Sequence, residues 1–192
     1  MLFALLLAIG MAVPTIGAGA EGAEDSASGT PLIAVKHASD IASEIGVLLG
    51  DGQGVTETYL AKTTTRLQGA ILTLRLLGKE KEALAYSGAD TFADASQVGS
   101  AVRPVLAYLK QHPELGWSGT GSGKFSPNAA ITSQQAYKVM LESLSYRTGT
   151  DFAYADTLAF AATKGLTRAA GANPFTNRDL AAVLLETLQT VP

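Results

Sequence analysis

The clearest order along the chain is a polar cap followed by an apolar stripe of helical period, and it occurs three times. Thr65-Arg66-Leu67-Gln68, Thr132-Ser133-Gln134-Gln135 and Thr176-Asn177-Arg178-Asp179 each place a Thr three residues ahead of an amide or acid. A Thr at the N-cap accepts a bond from a free backbone N–H, and Gln three residues on reaches back to the N–H of the cap. Asp179 is shorter but suits the positive end of a helix. Behind each cap, apolar residues recur at matched offsets. Ala70, Tyr137 and Ala181 stand five residues on; Leu72, Val139 and Val183 seven; Leu74, Leu141 and Leu185 nine; Leu77, Leu144 and Leu188 twelve. These offsets share one face of a 3.6-residue period, so the pattern predicts three capped amphipathic helices.

A second helical pattern precedes each capped helix. Ile41, Ile45 and Leu48 form the first stripe, Val98, Val102, Val105 and Leu109 the second, and Ala155, Leu158, Ala159 and Ala162 a weaker third. Pro104 falls inside the second and is expected to kink it or mark its true start. Between the paired helices lie glycine-rich loops: Gly50 to Gly54, Gly116 to Asn128, and Gly165 to Phe175. Each unit is therefore helix, glycine loop, capped helix. One such unit cannot bury both stripes, so the units are expected to pack on one another. The expected fold is all-α, with unit 1 over residues 35–86, unit 2 over 87–147 and unit 3 over 148–190.

The start of the chain reads differently. Leu2 to Val13 is apolar apart from Gly10, and Ala18-Gly19-Ala20 follows as an A-x-A pattern. This predicts a signal peptide over residues 1–20, atypical because no Lys or Arg precedes the apolar run. The run is short for a membrane span, which takes roughly 20 residues; an uncleaved anchor is the rival reading. Residues 21–34 are small and polar and are expected to form a linker.

Composition narrows the function. A hydrophobic fraction of 47% is ample for a core, while a net charge of −3 with 16% charged residues gives no basic face for nucleic acid. Cysteine is absent, which excludes disulfides and thiolate metal sites. Gly119 to Lys124 fails the spacing of a phosphate loop, since Ser118 stands at the first Gly position and Phe125 follows the Lys. Asp51 and its neighbouring glycines lack the further carboxylates of a calcium loop. His37 and His112 have no partner pattern, and no Gly-x-Ser-x-Gly elbow is present. Glu142 and Glu186 share an offset and read as a repeated surface position. Asp94 is expected to cap the first helix of unit 2. No catalytic residue, cofactor or metal is expected.

The second unit carries Phe92-Ala93-Asp94, Gly116-Trp117, Gly123-Lys124-Phe125-Ser126-Pro127-Asn128 and Ile131-Thr132. It resembles the S-layer homology domain, whose repeat runs Phe-x-Asp, Gly-Tyr-x-Asp-Gly-x-Phe-x-Pro-Asn and Ile-Thr-Arg-Ala-Glu. The first unit keeps the glycine loop and Thr65-Arg66; the third keeps Phe152 and Phe175-Thr176 with a shortened loop. The resemblance covers roughly residues 35 to 190. It implies three lobes in a pseudo-threefold arrangement and non-covalent attachment to the bacterial cell wall. The implied ligand is a secondary cell-wall polysaccharide, acidic and in this family often pyruvylated, held in grooves between lobes. The motif Arg is its main contact. An acidic sugar calls for a planar cation, closely approaching backbone and a stacking surface. Arg66, Thr65, Gly52, Trp117, Gly123 and Lys124 are accordingly the expected glycan-binding residues. Ser133 and Asn177 replace the motif Arg in the other two units, so at most one full groove is expected. The expected location is secreted, at the cell wall or surface, with no membrane span in the mature chain. Two alternatives stay open: a structural or protein-interaction module of the envelope that has lost glycan binding, and a set of binding grooves completed by other chains in an oligomer.

Overall fold

The computed structural model describes residues 36–190, and the expected signal peptide and linker lie outside them. Eight α-helices follow in order: α1 (Ala38–Glu44), α2 (Glu57–Leu60), α3 (Arg66–Leu76), α4 (Glu80–Leu84), α5 (Arg103–Gln111), α6 (Ser133–Ser143), α7 (Thr157–Thr163) and α8 (Asn177–Gln189). Short 3-10 turns cover Ala95–Gln97, Pro113–Leu115 and Tyr154–Asp156. Among the described residues there are only isolated β-bridges, so the fold is all-α.

The three capped helices begin where the cap pattern predicts. Thr65, Thr132 and Thr176 each accept from the backbone N–H three residues on, and Gln68, Gln135 and Asp179 return the bond to the N–H of the cap. The matched stripe is the core. Ala70, Tyr137, Ala181, Leu72, Val139, Val183, Leu74, Leu141 and Leu185 are all buried, each large aliphatic side chain contributing about 1.5–3 kcal/mol. The twelfth position breaks the pattern. Leu77 and Leu144 are half-buried, while Leu188 is 50% exposed at the end of α8. α8 packs on α1, α3 and α6, and α6 also packs on α7.

The preceding helices are shorter than their stripes suggest. α1 ends at Glu44, so Ile45 falls on the C-cap and is 52% exposed, whereas Leu48 reaches the core from the following turn. Pro104 is in the first turn of α5 and marks its start, where its missing N–H costs nothing; Val98 therefore lies outside the helix. In α7 the buried side chains are Thr157 and Ala161, one turn apart, and the Ala155–Ala162 stripe faces largely outward. α2 and α4 have no counterpart in the sequence pattern. α4 packs on α5, and Arg75 at the end of α3 pairs with Glu80 at 2.8 Å.

The first helical residue of each capped helix reaches into the stretch that precedes another capped helix. Arg66 Nε donates to the Phe125 carbonyl, ahead of α6. Ser133 Oγ donates to the Ala172 carbonyl, ahead of α8. Asn177 Nδ2 donates to the Tyr59 carbonyl, ahead of α3, and its Oδ1 accepts from the Thr64 hydroxyl. Backbone bonds reinforce two of these three seams: Arg66 N–H to Ala129 O, and Asn177 N–H to Lys62 O. The same two seams carry the bridges Thr65–Ala130 and Thr63–Thr176. Among the described residues, no backbone bond joins Ser133 to the stretch ahead of α8.

Candidate functional site: an arginine without a counter-ion

Arg66 is 7% exposed, and its position follows from its place in the sequence. As the first residue of α3 it points out of the helix start, across the seam, into the loop of unit 2. Its guanidinium carbon lies 5.0 Å from the Phe125 ring centre and 5.5 Å from that of Trp117. Both distances are within cation–π range. No carboxylate is within ion-pairing distance of it among the described residues. Burial pulls its pKa below the ordinary arginine value, opposed by the fields of Tyr154 and Asp94. Arginine stays charged under such a shift, so the site holds a positive charge stripped of much of its water and not paired by the protein.

The guanidinium forms one wall of an open pocket of about 320 Å³. The loop Gly116–Thr120 forms a second wall, and Gln135, Lys138 and Val139 of α6, with Tyr154, complete it. Gln135, Lys138 and Val139 share a face because they stand three and four residues apart on one helix. Lys138 Nζ donates to Gly116 O at 3.0 Å and pairs with Glu142 at 2.7 Å. Glu142 also accepts from the Thr148 hydroxyl. Two cations thus line the pocket; Glu142 pairs with Lys138, whereas Arg66 has no carboxylate at ion-pairing distance among the described residues.

The floor beneath Arg66 is set by a second buried charge. Asp94 is 6% exposed; its Oδ1 and Oδ2 accept from the amides of Phe125 and Ser126, both at 2.8 Å. Burial works against ionisation of this carboxyl, but these amides and the nearby Lys124 hold its pKa below the ordinary range. Asp94 therefore does not cap the first helix of its unit: it fixes the loop whose carbonyl and ring hold Arg66. Phe92, two residues earlier, packs on Phe125 with ring centres 5.3 Å apart.

The structure brings together only two of the six residues expected from sequence, Arg66 and Trp117. Trp117 is fully buried, with its indole N–H unpartnered among the described residues, so it is a wall of the pocket rather than a free stacking surface. Thr65 is occupied by its cap bonds with Gln68. Gly52 lies in the exposed loop of unit 1 and does not line this pocket. Gly123 and Lys124 are exposed in a tight turn closed by Lys124 N–H to Gly121 O, and neither lines the pocket. Lys138, Gln135, Tyr154 and Asp94 are the residues sequence reasoning missed. The four-residue spacing of Lys138 and Glu142 is a visible signal for the first of them.

Glu142 and Glu186 are not surface residues either. Glu186 is buried, accepting from the amides of Thr167 and Arg168 and from the Tyr137 hydroxyl. Burial pushes the Tyr137 hydroxyl well above its ordinary pKa, and its oxygen accepts in turn from the Ala169 amide. The network ties the third loop to α6 and α8. Among the described residues there is no cluster of His, Cys, Asp and Glu that would hold a metal, and no helix long and apolar enough to cross a membrane. No family model matches the chain, and no curated protein is significantly similar to it.

Proposed function

We propose that this protein attaches non-covalently to the bacterial cell wall by binding an acidic secondary cell-wall polysaccharide in the Arg66 pocket. The observation that carries the reading is a buried guanidinium with no carboxylate partner that opens onto a polar pocket. An anion in that pocket restores the missing pairing, and Nη1 and Nη2 offer a planar fork to a sugar carboxylate, since Nε is already committed to Phe125. Ser118 and Gly119, which line the same pocket, supply further polar groups at close range. In this reading the three units form three lobes related by a pseudo-threefold axis. Its support is the cycle of first-residue contacts, in which each capped helix locks the stretch ahead of another and the last returns to the first. The protein is secreted and acts as a binding module, not as an enzyme.

The test is co-sedimentation of the purified protein with wall sacculi that retain their polymer. Binding is expected for the wild type, with loss in Arg66→Gln and in walls stripped of the polymer. Equal sedimentation of wild type and Arg66→Gln sinks the reading. A second reading, a protein-interaction module of the envelope, draws on the exposed apolar side chains Ile45, Leu49 and Leu188. It predicts no wall binding and a defined cross-linked partner.

A further inference from the structure

A separate pocket, of about 350 Å³, opens where the stretch between α4 and α5 passes the start of α5, and it shares no residue with the Arg66 pocket. Arg103 is the only charged residue that lines it. Arg103 Nε donates to the Val98 carbonyl at 3.2 Å, which fixes the plane of the guanidinium and leaves both Nη groups uncommitted among the described residues. No carboxylate is within ion-pairing distance of it among the described residues. Asp90, the acid next to Thr91 in sequence, is engaged by Lys110 and Gln111 instead. Around the cation stand hydroxyls. Those of Ser87 and Ser100 are exposed and make no hydrogen bond among the described residues. Thr91 Oγ1 is buried and has no partner, while Lys110 Nζ holds the Thr91 carbonyl at 2.8 Å. Tyr86 is a firm aromatic wall: its ring meets that of Tyr108 edge-on at 5.7 Å, and it lies so close over Gly88 that a Cβ there would fall 2.4 Å from it.

We infer that this pocket binds the phosphoryl group of a small phosphate monoester with an apolar body; the inference stands apart from the reading that this protein binds the cell wall. A phosphoryl group carries three terminal oxygens. Two of them accept from Nη1 and Nη2 of the fixed guanidinium fork. The third faces the hydroxyls of Ser87 and Ser100, which rotate to donate. A carboxylate is satisfied by the fork alone and leaves those hydroxyls unused. Rotation about χ1 of Thr91 exchanges its buried Oγ1 with its methyl, so a bound oxygen gives that hydroxyl the partner it lacks. No lining carboxylate repels a dianion. Tyr86 and Pro104 offer apolar surface to the body that carries the ester. Arg103 is exposed, so its charge alone discriminates weakly among anions, and the hydroxyl set makes the distinction.

The experiment is amide-shift titration of the full protein at constant ionic strength with three probes: phenyl phosphate, inorganic phosphate and benzoate. Phenyl phosphate is expected to give saturable shifts at the amides of Ser87, Gly88 and Ser100 and at the Arg103 Nε–H. Inorganic phosphate, which lacks the body, is expected to move the same groups with several-fold weaker affinity, and benzoate, which keeps the body but not the phosphoryl oxygens, to give no saturable shift. Arg103→Gln is expected to weaken the phenyl phosphate response by about tenfold or more, Ser100→Ala by several-fold, and Arg66→Gln not at all. The Ser100→Ala arm keeps the test intact if loss of the Arg103 bond to Val98 disturbs α5. Absence of saturable shifts with phenyl phosphate, an equal response to benzoate, or a response unchanged in both pocket variants overturns the inference. Inorganic phosphate bound as tightly as the ester overturns the assignment to an ester. A response lost in Arg66→Gln and kept in Arg103→Gln puts the anion in the first pocket and overturns the inference as well. Failure of the wild type to sediment with walls, with the phenyl phosphate response intact, removes the wall reading and leaves this pocket standing.

Discussion

Replacing Asp94 by Ala is the most searching perturbation, because one carboxylate holds the loop that carries the Arg66 floor. The substitution removes two charge-assisted bonds, to the Phe125 and Ser126 amides, and leaves the buried Phe125 amide without a partner. Hydrogen bonds to charged groups contribute about 1.5–3 kcal/mol each, so a loss of about 3–6 kcal/mol is expected, a large part of a domain's stability of roughly 5–15 kcal/mol. Asp94→Asn keeps one acceptor oxygen and is expected to fall between wild type and Ala. The assay is urea unfolding followed by the fluorescence of Trp117, the only tryptophan in the chain, whose ring stands beside Phe125 and the Arg66 guanidinium. The pH dependence supplies the sharper check. The folded-state pKa of Asp94 is lowered, so its contribution is complete above the unfolded value of about 3.9 and is lost as pH falls through the folded value. The gap between wild type and Asp94→Ala must therefore narrow in strong acid. A gap below about 1 kcal/mol at neutral pH, or one that does not shrink on acidification, refutes the reasoning.

Other substitutions probe separate links. Gly69→Ala puts a Cβ 2.9 Å from the Trp117 ring and 3.2 Å from Ile131 Cδ1, so it should cost about 1–3 kcal/mol despite the better helix propensity of Ala, and it should shift the Trp117 emission. Tyr137→Phe strands the Ala169 amide and takes one donor from Glu186; a loss of about 1–3 kcal/mol in chemical unfolding is expected, with wall binding unchanged. Thr132→Ala removes the α6 cap bond and should cost about 1 kcal/mol by the same assay. Glu142→Gln releases Lys138 from its ion pair, raising the net positive charge at the Arg66 pocket, and should tighten glucuronate binding in calorimetry at low salt.

What could be read from the sequence was the local physics. The cap boxes and the stripes behind them involve residues within a few positions of one another, and all three helices start where Thr65, Thr132 and Thr176 place them. The shorter helices were harder to read, because a stripe such as Ile41–Leu48 arises as easily from a helix plus a turn as from one longer helix. The pocket was less legible still. Lys138 and Tyr154 meet Arg66 only through the packing of segments far apart in the chain; the spacing of Lys138 and Glu142 marks an ion pair but not a pocket, and nothing local distinguishes Tyr154 from a surface residue. Asp94 illustrates the same point: its position before a helix predicts a cap, yet its partners lie 31 and 32 residues on. The buried Glu186 misled for a similar reason, since an acid on an amphipathic helix is ordinarily solvated.

The contact from Asn177 back to Tyr59 and Thr64 spans well over a hundred residues. An open stack of repeats grows or shrinks at either end, because each unit leans only on its neighbours. Here α8 grips the stretch ahead of α3, so these two distant segments are tied to each other as well as to their sequence neighbours. Truncation before α8 leaves the buried Thr64 hydroxyl facing an empty seat. A ribosome adding about 5–20 residues per second must also pass α8 before the stretch ahead of α3 meets its partner. Under the proposed function the chain crosses a membrane unfolded, and closure by α8 then defers the compact state until the residues through α8 have been made.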